Sequence, residues 1–318
     1  MTVFRRVVRT IETHTVMAVF LFAWLITCFF SACSTTREDQ RTFATPEEAV
    51  KVLTEATKAG NMDELMAIFG PDAEDIVASS DPVTSKQNRE VFVVAVAEQW
   101  RLNDIGDNRK ELEIGYENWP FPVPLVKDAN GWRFDTAAGK EEILTRRIGR
   151  NELAVVGICE TYVRAQEEYA SIGRDGKPAG NFAQKFASDA GKYNGLYWPV
   201  KRGERLSPLG EMVAQASAAG PRKTGEGKVT PFHGYYFRIL TAQGKAAAGG
   251  AKNYVMNGEM SGGFAMIAWP AEYDVTGIMT FVVNHDGIVY EKDLGPETAD
   301  AVKTVVEFDP DESWTIVE

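Results

Sequence analysis

Residues 276–293 read Thr-Gly-Ile-Met-Thr-Phe-Val-Val-Asn-His-Asp-Gly-Ile-Val-Tyr-Glu-Lys-Asp. Two runs rich in β-branched and aromatic side chains, Thr276–Asn284 and Ile288–Asp293, flank His285-Asp286-Gly287. Asp-Gly favours a tight reversal, so the string predicts an antiparallel hairpin. Upstream, Tyr235–Thr241 and Phe264–Trp269 carry the same composition and predict further strands. Downstream, Pro296–Val306 predicts a closing helix with proline at its first turn. Before the strands lies a helical segment, Glu141–Ala170. Ile148, Val155, Cys159, Tyr162, Gln166 and Tyr169 recur there at steps of three, four and seven. Gly149 and Gly157 interrupt it, each at a cost of roughly 1 kcal/mol against Ala, so packing must hold this helix. One long helix followed by segregated strands predicts an α+β fold.

The segments between are shorter. Arg174-Asp-Gly-Lys-Pro178 reads as a loop, Phe182–Phe186 as a short helix and Gly195-Leu-Tyr-Trp-Pro199 as a buried aromatic turn. Ser207–Ala218 predicts another short helix, and Gly220–Thr230 a polar loop. The first half opens with Thr45, Pro46 and Glu48, a cap, a first-turn proline and an acid three residues on. Val50, Leu53 and Thr57 follow at helical spacing until Gly60-Asn61. A second helix is expected over Asp63–Phe69, and a third over Lys86–Leu102 with Val91, Val94, Ala95 and Gln99 on one face. Glu111–Tyr116 alternates with period two, Pro120, Pro122 and Pro124 mark an edge, and Asn130-Gly131 predicts a hairpin turn.

The N-terminus carries an address. Arg5, Arg6 and Arg9 precede an apolar run, Val16–Phe30, which ends in Ser31-Ala32-Cys33-Ser34. Positive, then apolar, then small residues is the order of a secretory leader. The small-small-Cys ending resembles the lipobox of bacterial lipoproteins. That resemblance implies a lipid on the Cys33 thiol, cleavage before Cys33, and a fold held on the periplasmic side of a membrane. Ser34 and Thr35 in place of Asp favour the outer membrane by the same analogy. An ordinary leader and an uncleaved anchor are the alternatives, and the run is short of the roughly 20 residues a spanning helix needs. The resulting layout is a signal peptide over 1–32, a tether over 33–42, an α+β domain over 43–140 and a second over 141–318.

The 318 residues carry a net charge of −11, which repels nucleic acid and anionic headgroups. No nucleic-acid partner is expected. A hydrophobic content of 44% is that of a globular chain rather than a disordered one. Of three cysteines, Cys28 lies in the leader and Cys33 is the lipid acceptor, so Cys159 is left without a disulfide partner. A four-thiol zinc site is ruled out by the same count.

Several strings resemble known families. Thr45–Phe69 and Gly131–Asp135 are similar to the opening helices and a later strand of NTF2-like or SnoaL-like domains. Asn151–Tyr169, Gly234–Phe237, Ala268–Pro270, Gly277–Val282 and Asp286–Val289 resemble type IV pilin and pseudopilin heads, which lay a long helix across an antiparallel sheet. The prepilin peptidase site and apolar helix half of pilins are missing here. Gly195–Pro199, Pro231–Gly244, Gly262–Tyr273 and Phe281–Gly295 are long, specific strings, and on them residues 40–318 look like the bacterial family called domain of unknown function 2950. That resemblance implies no reaction.

Candidate chemistry is sparse. His233 and His285, the latter beside Asp286, are the histidines outside the leader, and His is the usual general base near neutral pH. If their strands are neighbours, both rings would reach one site; otherwise each is a solvated or structural histidine. Gly-x-Ser-x-Gly, His-Glu-x-x-His, the phosphate-binding loop and Gly-x-Gly-x-x-Gly are all missing, so no cofactor and no metal is expected. Asp72–Asp75 and Asp309–Glu312 do not match a calcium loop. Tyr197, Trp198, Tyr236, Trp269 and Tyr273 stand either as core or as core plus an exposed platform for a peptide or glycan. The sequence therefore predicts a non-catalytic envelope protein that binds or scaffolds another envelope protein or cell-wall material. Its rivals are a periplasmic hydrolase or isomerase using His233 and His285, and a pilus- or secretion-associated accessory protein. Oligomeric state is not legible.

Overall fold

The computed structural model describes residues 40–77, 82–200, 203, 206–210 and 230–317. The leader, Cys33, most of the tether and most of Ser207–Thr230 lie outside the described residues. The fold is α+β, and it divides into two compact units, the first ending at Thr136 and the second beginning at Ala137.

In the first unit, α1 (Pro46–Ala59) starts where capping chemistry puts it. Thr45 Oγ1 accepts from the Glu48 amide at 3.2 Å, and the Glu48 carboxylate accepts from the Ala44 amide at 3.0 Å. Gly60 ends it in the left-handed region at φ 63°. The helix buries Ala49, Val50, Leu53, Ala56 and Thr57. Asn61 caps α2 (Met62–Phe69) by accepting from the Glu64 amide at 3.2 Å, and α3 (Glu74–Val77) follows. The third expected helix, α4, spans Pro82–Glu98 and stops earlier than its pattern suggests. Trp100–Gly106 is instead strand β1, in antiparallel register with β2 (Arg109–Ile114). A seven-residue ladder satisfies more backbone groups than one further helical turn would. The inward face of α4 also differs from expectation. Val96 is buried and Phe92 packs at 5.3 Å on Phe121, whereas Val91 and Val94 are 68% and 59% exposed. The remaining strands are β3 (Trp119–Pro120), β4 (Leu125–Asp128) and β5 (Gly131–Phe134), in sheet order β1-β2-β4-β5 with β3 on β2. The β4–β5 turn is Ala129-Asn130, one residue earlier than predicted. Gly131 opens the strand, because a Cβ there would stand 2.6 Å from the Phe43 carbonyl.

The second unit takes in all but the first residue of helix α5 (Thr136–Ala170), which lies along the sheet. Its stripe of Val155, Cys159, Tyr162 and Gln166 is wholly buried. The sheet is antiparallel in the order β14-β13-β12-β11-β6. These strands are β6 (Tyr235–Leu240), β11 (Ala265–Pro270), β12 (Met279–Asn284), β13 (Val289–Asp293) and β14 (Thr315–Ile316). Two short ladders flank it, β7 (Ala242–Gln243) with β8 (Lys252–Asn253), and β9 (Val255–Met256) with β10 (Glu259–Met260). Polar contacts fix the helix at two heights. Tyr162 Oη donates to the Ala265 carbonyl at 3.0 Å. The Glu152 carboxylate accepts from the Ile278 and Met279 amides at 2.8 and 3.0 Å. Burial drives the Tyr162 phenol far above its ordinary value and pushes the Cys159 thiol up to about 12, so both stay neutral.

Two expectations fail here. Phe182–Phe186 is not helical: Phe182 bridges Met260 and Ala187 bridges Tyr197, so the segment's backbone groups bond to β10 and to the 196–197 loop instead of to one another. The closing helix is only α6 (Thr298–Ala301), followed by turns. Arg238 Nη2 donates to the Val302 and Val305 carbonyls at 2.6 Å each, which supplies partners that a continued helix would have supplied itself.

Candidate functional site

The two histidines do not meet. β6 and β12 both pair with β11 but on opposite sides of it. Gly234 bonds next to the Pro270 end of β11, and Asn284 pairs with Ala265 at the other end. Six residues at about 3.3 Å each put roughly 20 Å of strand between those ends. The shared site is therefore corrected to two separate positions. His233 is exposed at φ 47° and Gly234 has φ 72°, the pair forming a tight turn closed by reciprocal Phe232–Tyr235 backbone bonds. His285 is half-buried, its ring 5.5 Å from Tyr254 and 6.1 Å from Phe264. Its Nε2 lies 3.9 Å from Asp286, and its buried Nδ1 makes no hydrogen bond. Asp286 is held by Asn284, which donates to its carboxylate at 3.0 Å and accepts from its amide.

Nor do the five aromatics make one platform. Trp198 is buried, with Tyr193 at 5.1 Å. Tyr236 and Trp269 pair at 6.0 Å, and the Arg238 guanidinium lies over the Trp269 ring. Tyr273 donates to Asp293 at 3.2 Å, and Tyr197 belongs to a bridge with Ala187. Alternation does hold: Tyr235 and Phe237 are fully buried while Tyr236 on the other face is not. Among the described residues no group of three or more His, Cys, Asp or Glu is placed to hold a metal ion. The acidic run at 309–312 is structural in part, since Asp309 accepts from the Ala246 and Ala247 amides. Among the described residues no helix is long and apolar enough to cross a membrane.

A different site emerges at the C-terminal end of α5. There a cleft of about 390 Å³ opens between Tyr169, the 172–185 segment, the 192–194 segment and Glu259 of β10. Local chemistry builds it. Arg174 Nη1 donates to the Tyr169 and Ile172 carbonyls at 2.5 and 3.0 Å and so caps the helix. The guanidinium stacks 4.6 Å from the Tyr169 ring and 5.6 Å from that of Trp198. Asp175 and Gly176, both at positive φ, reverse the chain so that Lys177 bonds back to Arg174. Gly173 is required, because a Cβ there would lie 2.5 Å from the Lys177 carbonyl. Gln166 grips Ala183 through both amide atoms at 2.8 Å, which fixes the far wall.

The lining concentrates positive charge. Arg174, Lys177, Lys185 and Lys192 face it, against Asp175 and Glu259. Lys177 pairs with Glu259 at 2.8 Å, a hydrogen bond that raises the lysine above its ordinary value. Lys185 and Lys192 share Asp189, at 2.8 and 3.9 Å, and the Lys185 hydrogen bond is the first cause of that carboxyl's lowered value. Tyr169 is raised by burial and stays a neutral phenol. The sequence carries one signal for this site, which has no motif: four cations within 174–192 of an otherwise acidic chain.

The model of a family described as protein of unknown function (DUF2950) matches residues 40–317. No curated protein and no solved structure matches the chain. The match takes in both units from the first described residue to the last, and the chain belongs to the DUF2950 family.

Proposed function

We propose that this chain is a non-catalytic binding protein of the bacterial envelope, anchored by a lipid on Cys33, with the cleft at the end of α5 as its binding site. One observation carries the reading. Four cationic side chains converge on a concave site in a chain of net charge −11, and helix cap, turn and glutamine grip all hold that site in shape. Preformed concave sites with a few placed polar groups are the default places for ligands. The leader ending in Ala32-Cys33 supports the address. The likeness of the first unit to NTF2-like domains and of the second to pilin heads is part of the same proposal, supported by the long helix on an antiparallel sheet.

A second reading places hydrolase or isomerase chemistry at His285 alone. It draws on the buried Nδ1 without a hydrogen bond, in contact with Tyr254 and beside Asp286.

The test is crosslinking in living cells with a photoreactive residue at Gln184, an exposed and uncharged position in the cleft lining, or at exposed Leu153 as control. The binding reading expects an adduct with one envelope component from position 184 and none from position 153. Equal labelling from both positions, or none from position 184, overturns it. His285→Ala with an unchanged phenotype removes the second reading.

A further inference from the structure

We infer that the cleft takes a small organic anion, a carboxylate or phosphate group carried on a compact body. This rests on the reading of the cleft as the binding site, and it names the ligand's chemistry.

Charge arithmetic within the cleft carries the inference. Lys177 and Glu259 neutralise one another. Asp175 adds one negative charge to the lining, which its hydrogen bond from the neutral Tyr193 amide at 2.9 Å leaves in place. Lys185 and Lys192 have a single carboxylate, Asp189, between them. An ammonium offers three donors. Lys185 gives one to Asp189, while Lys192 at 3.9 Å is beyond hydrogen-bond reach. Arg174, Lys177, Lys185 and Lys192 bring four positive charges to the cleft against three negative ones, from Asp175, Glu259 and the neighbouring Asp189, so the local balance is positive by one, and the Lys185 and Lys192 ammonium groups keep unspent donors. At about 0.1 M salt, charges beyond roughly 10 Å are screened, and this local balance outweighs the acidic remainder of the chain.

Size and surroundings select the ligand further. A volume of about 390 Å³ falls in the range of small-molecule sites. A long polyanion would have to continue over a protein of net −11, which repels it. A compact anion places its charge within the cleft and nowhere else. The apolar edges of Ile172 and Phe182 in the lining suit the uncharged part of such a molecule.

The experiment titrates the full chain, purified in detergent, with citrate, glucose 6-phosphate and, as an uncharged control, glucose. Calorimetry reads the affinity at low and high salt. Charge-assisted hydrogen bonds separate anion from neutral sugar by about tenfold or more. At least one anion should bind that much tighter than glucose and weaken as salt rises. Tight citrate binding identifies a carboxylate source, and tight glucose 6-phosphate binding a phosphate source. The Lys185→Gln/Lys192→Gln double variant should lose about tenfold, while Lys245→Gln, an exposed lysine outside the cleft, should not. Both altered side chains are substantially exposed, so unchanged circular dichroism is expected. Anions that bind no tighter than glucose, or a double variant that binds like the parent, overturn the inference. If the cleft crosslink from position 184 still forms in that case, the binding-protein reading survives and only the ligand class falls.

Discussion

Strand β11 and strand β1 lie at opposite extremes of burial. Ala265–Pro270 is an interior strand of the second sheet, paired on both sides by β12 and β6, and all six of its residues are buried. Trp100–Gly106 is the edge of the first sheet, paired on one side only, and most of its residues are exposed. Each sequence shows why. Ala-Met-Ile-Ala-Trp-Pro is apolar throughout and fits a strand covered on both faces, by α5 on one side and by the turns after α6 on the other. Trp-Arg-Leu-Asn-Asp-Ile-Gly mixes charge into the strand, and its exposed Arg101 and Asp104 pair with Glu113 and Lys110 of β2. Charged side chains and a register shift at Asp104–Gly106 blunt such an edge against pairing with another chain. The lesson is that stability in this molecule is concentrated around β11, whereas β1 contributes shape at little energetic gain.

The sharpest break of that contrast is a large-to-small change beside β11. Phe264→Ala removes a ring that touches Tyr162 and Phe182, at 5.6 and 4.8 Å, and should cost about 3–5 kcal/mol in urea unfolding. Tyr162→Phe leaves the Ala265 carbonyl and the Gln166 amide each short of a buried partner and should cost about 1–3 kcal/mol. Helix propensity then moves stability the other way. Gly157 in α5 is exposed, helical and has no atom near the position of a Cβ, so Gly157→Ala should stabilise by about 0.5–1 kcal/mol. In β1, Arg101→Ala removes an exposed arginine from its pair with the half-buried Glu113 and should change stability by about 0–1 kcal/mol. If Arg101→Ala costs as much as Phe264→Ala, the contrast is wrong. Segment-resolved hydrogen exchange checks it without mutation, with β1 amides exchanging well before those of β11.

A pH-dependent effect sharpens the same picture at smaller scale. Burial first, and the nearby Glu152 carboxylate second, raise Glu291 on β13 above its ordinary value of 4.5. A carboxyl that holds its proton more tightly when folded stabilises the fold at low pH. That stability is fully present below 4.5 and is lost as pH rises through the raised folded value. Glu291→Gln should therefore raise the melting temperature at neutral pH and flatten the decline in stability just above pH 4.5. Melts of parent and variant between pH 4 and 7 read this directly.

Much of the fold is legible because it rests on local chemistry. Thr45, Pro46 and Glu48 start a helix by capping alone, and Asn284–Gly287 turns a hairpin with its own backbone bond and Gly287 at φ 77°. The misses are places where a distant partner decides. Trp100–Leu102 reads as a helical continuation until β2 offers its ladder, and Phe182–Phe186 reads as helix until Met260 and Tyr197 bind it. The turns after Ala301 need Arg238 from another strand. The candidate site was less legible than the fold. Motif logic pointed to His233 and His285, which the strand order sends to opposite ends of β11. The cleft has no motif, because it combines a helix end, a tight turn and Glu259 some eighty positions later, joined through the Lys177 ion pair.

Cys159 gives the long helix a further property. Its sulfur is sealed between α5 and the strands, with its acidity suppressed to about 12, so alkylating reagents in solution meet neither an accessible nor an ionised thiol while the unit stays closed. Every modification of the peptide that carries it must then record an excursion in which the helix has lifted away. The chain thereby holds a native timer of its own opening, readable by pulse alkylation and mass spectrometry in intact cells without adding any label.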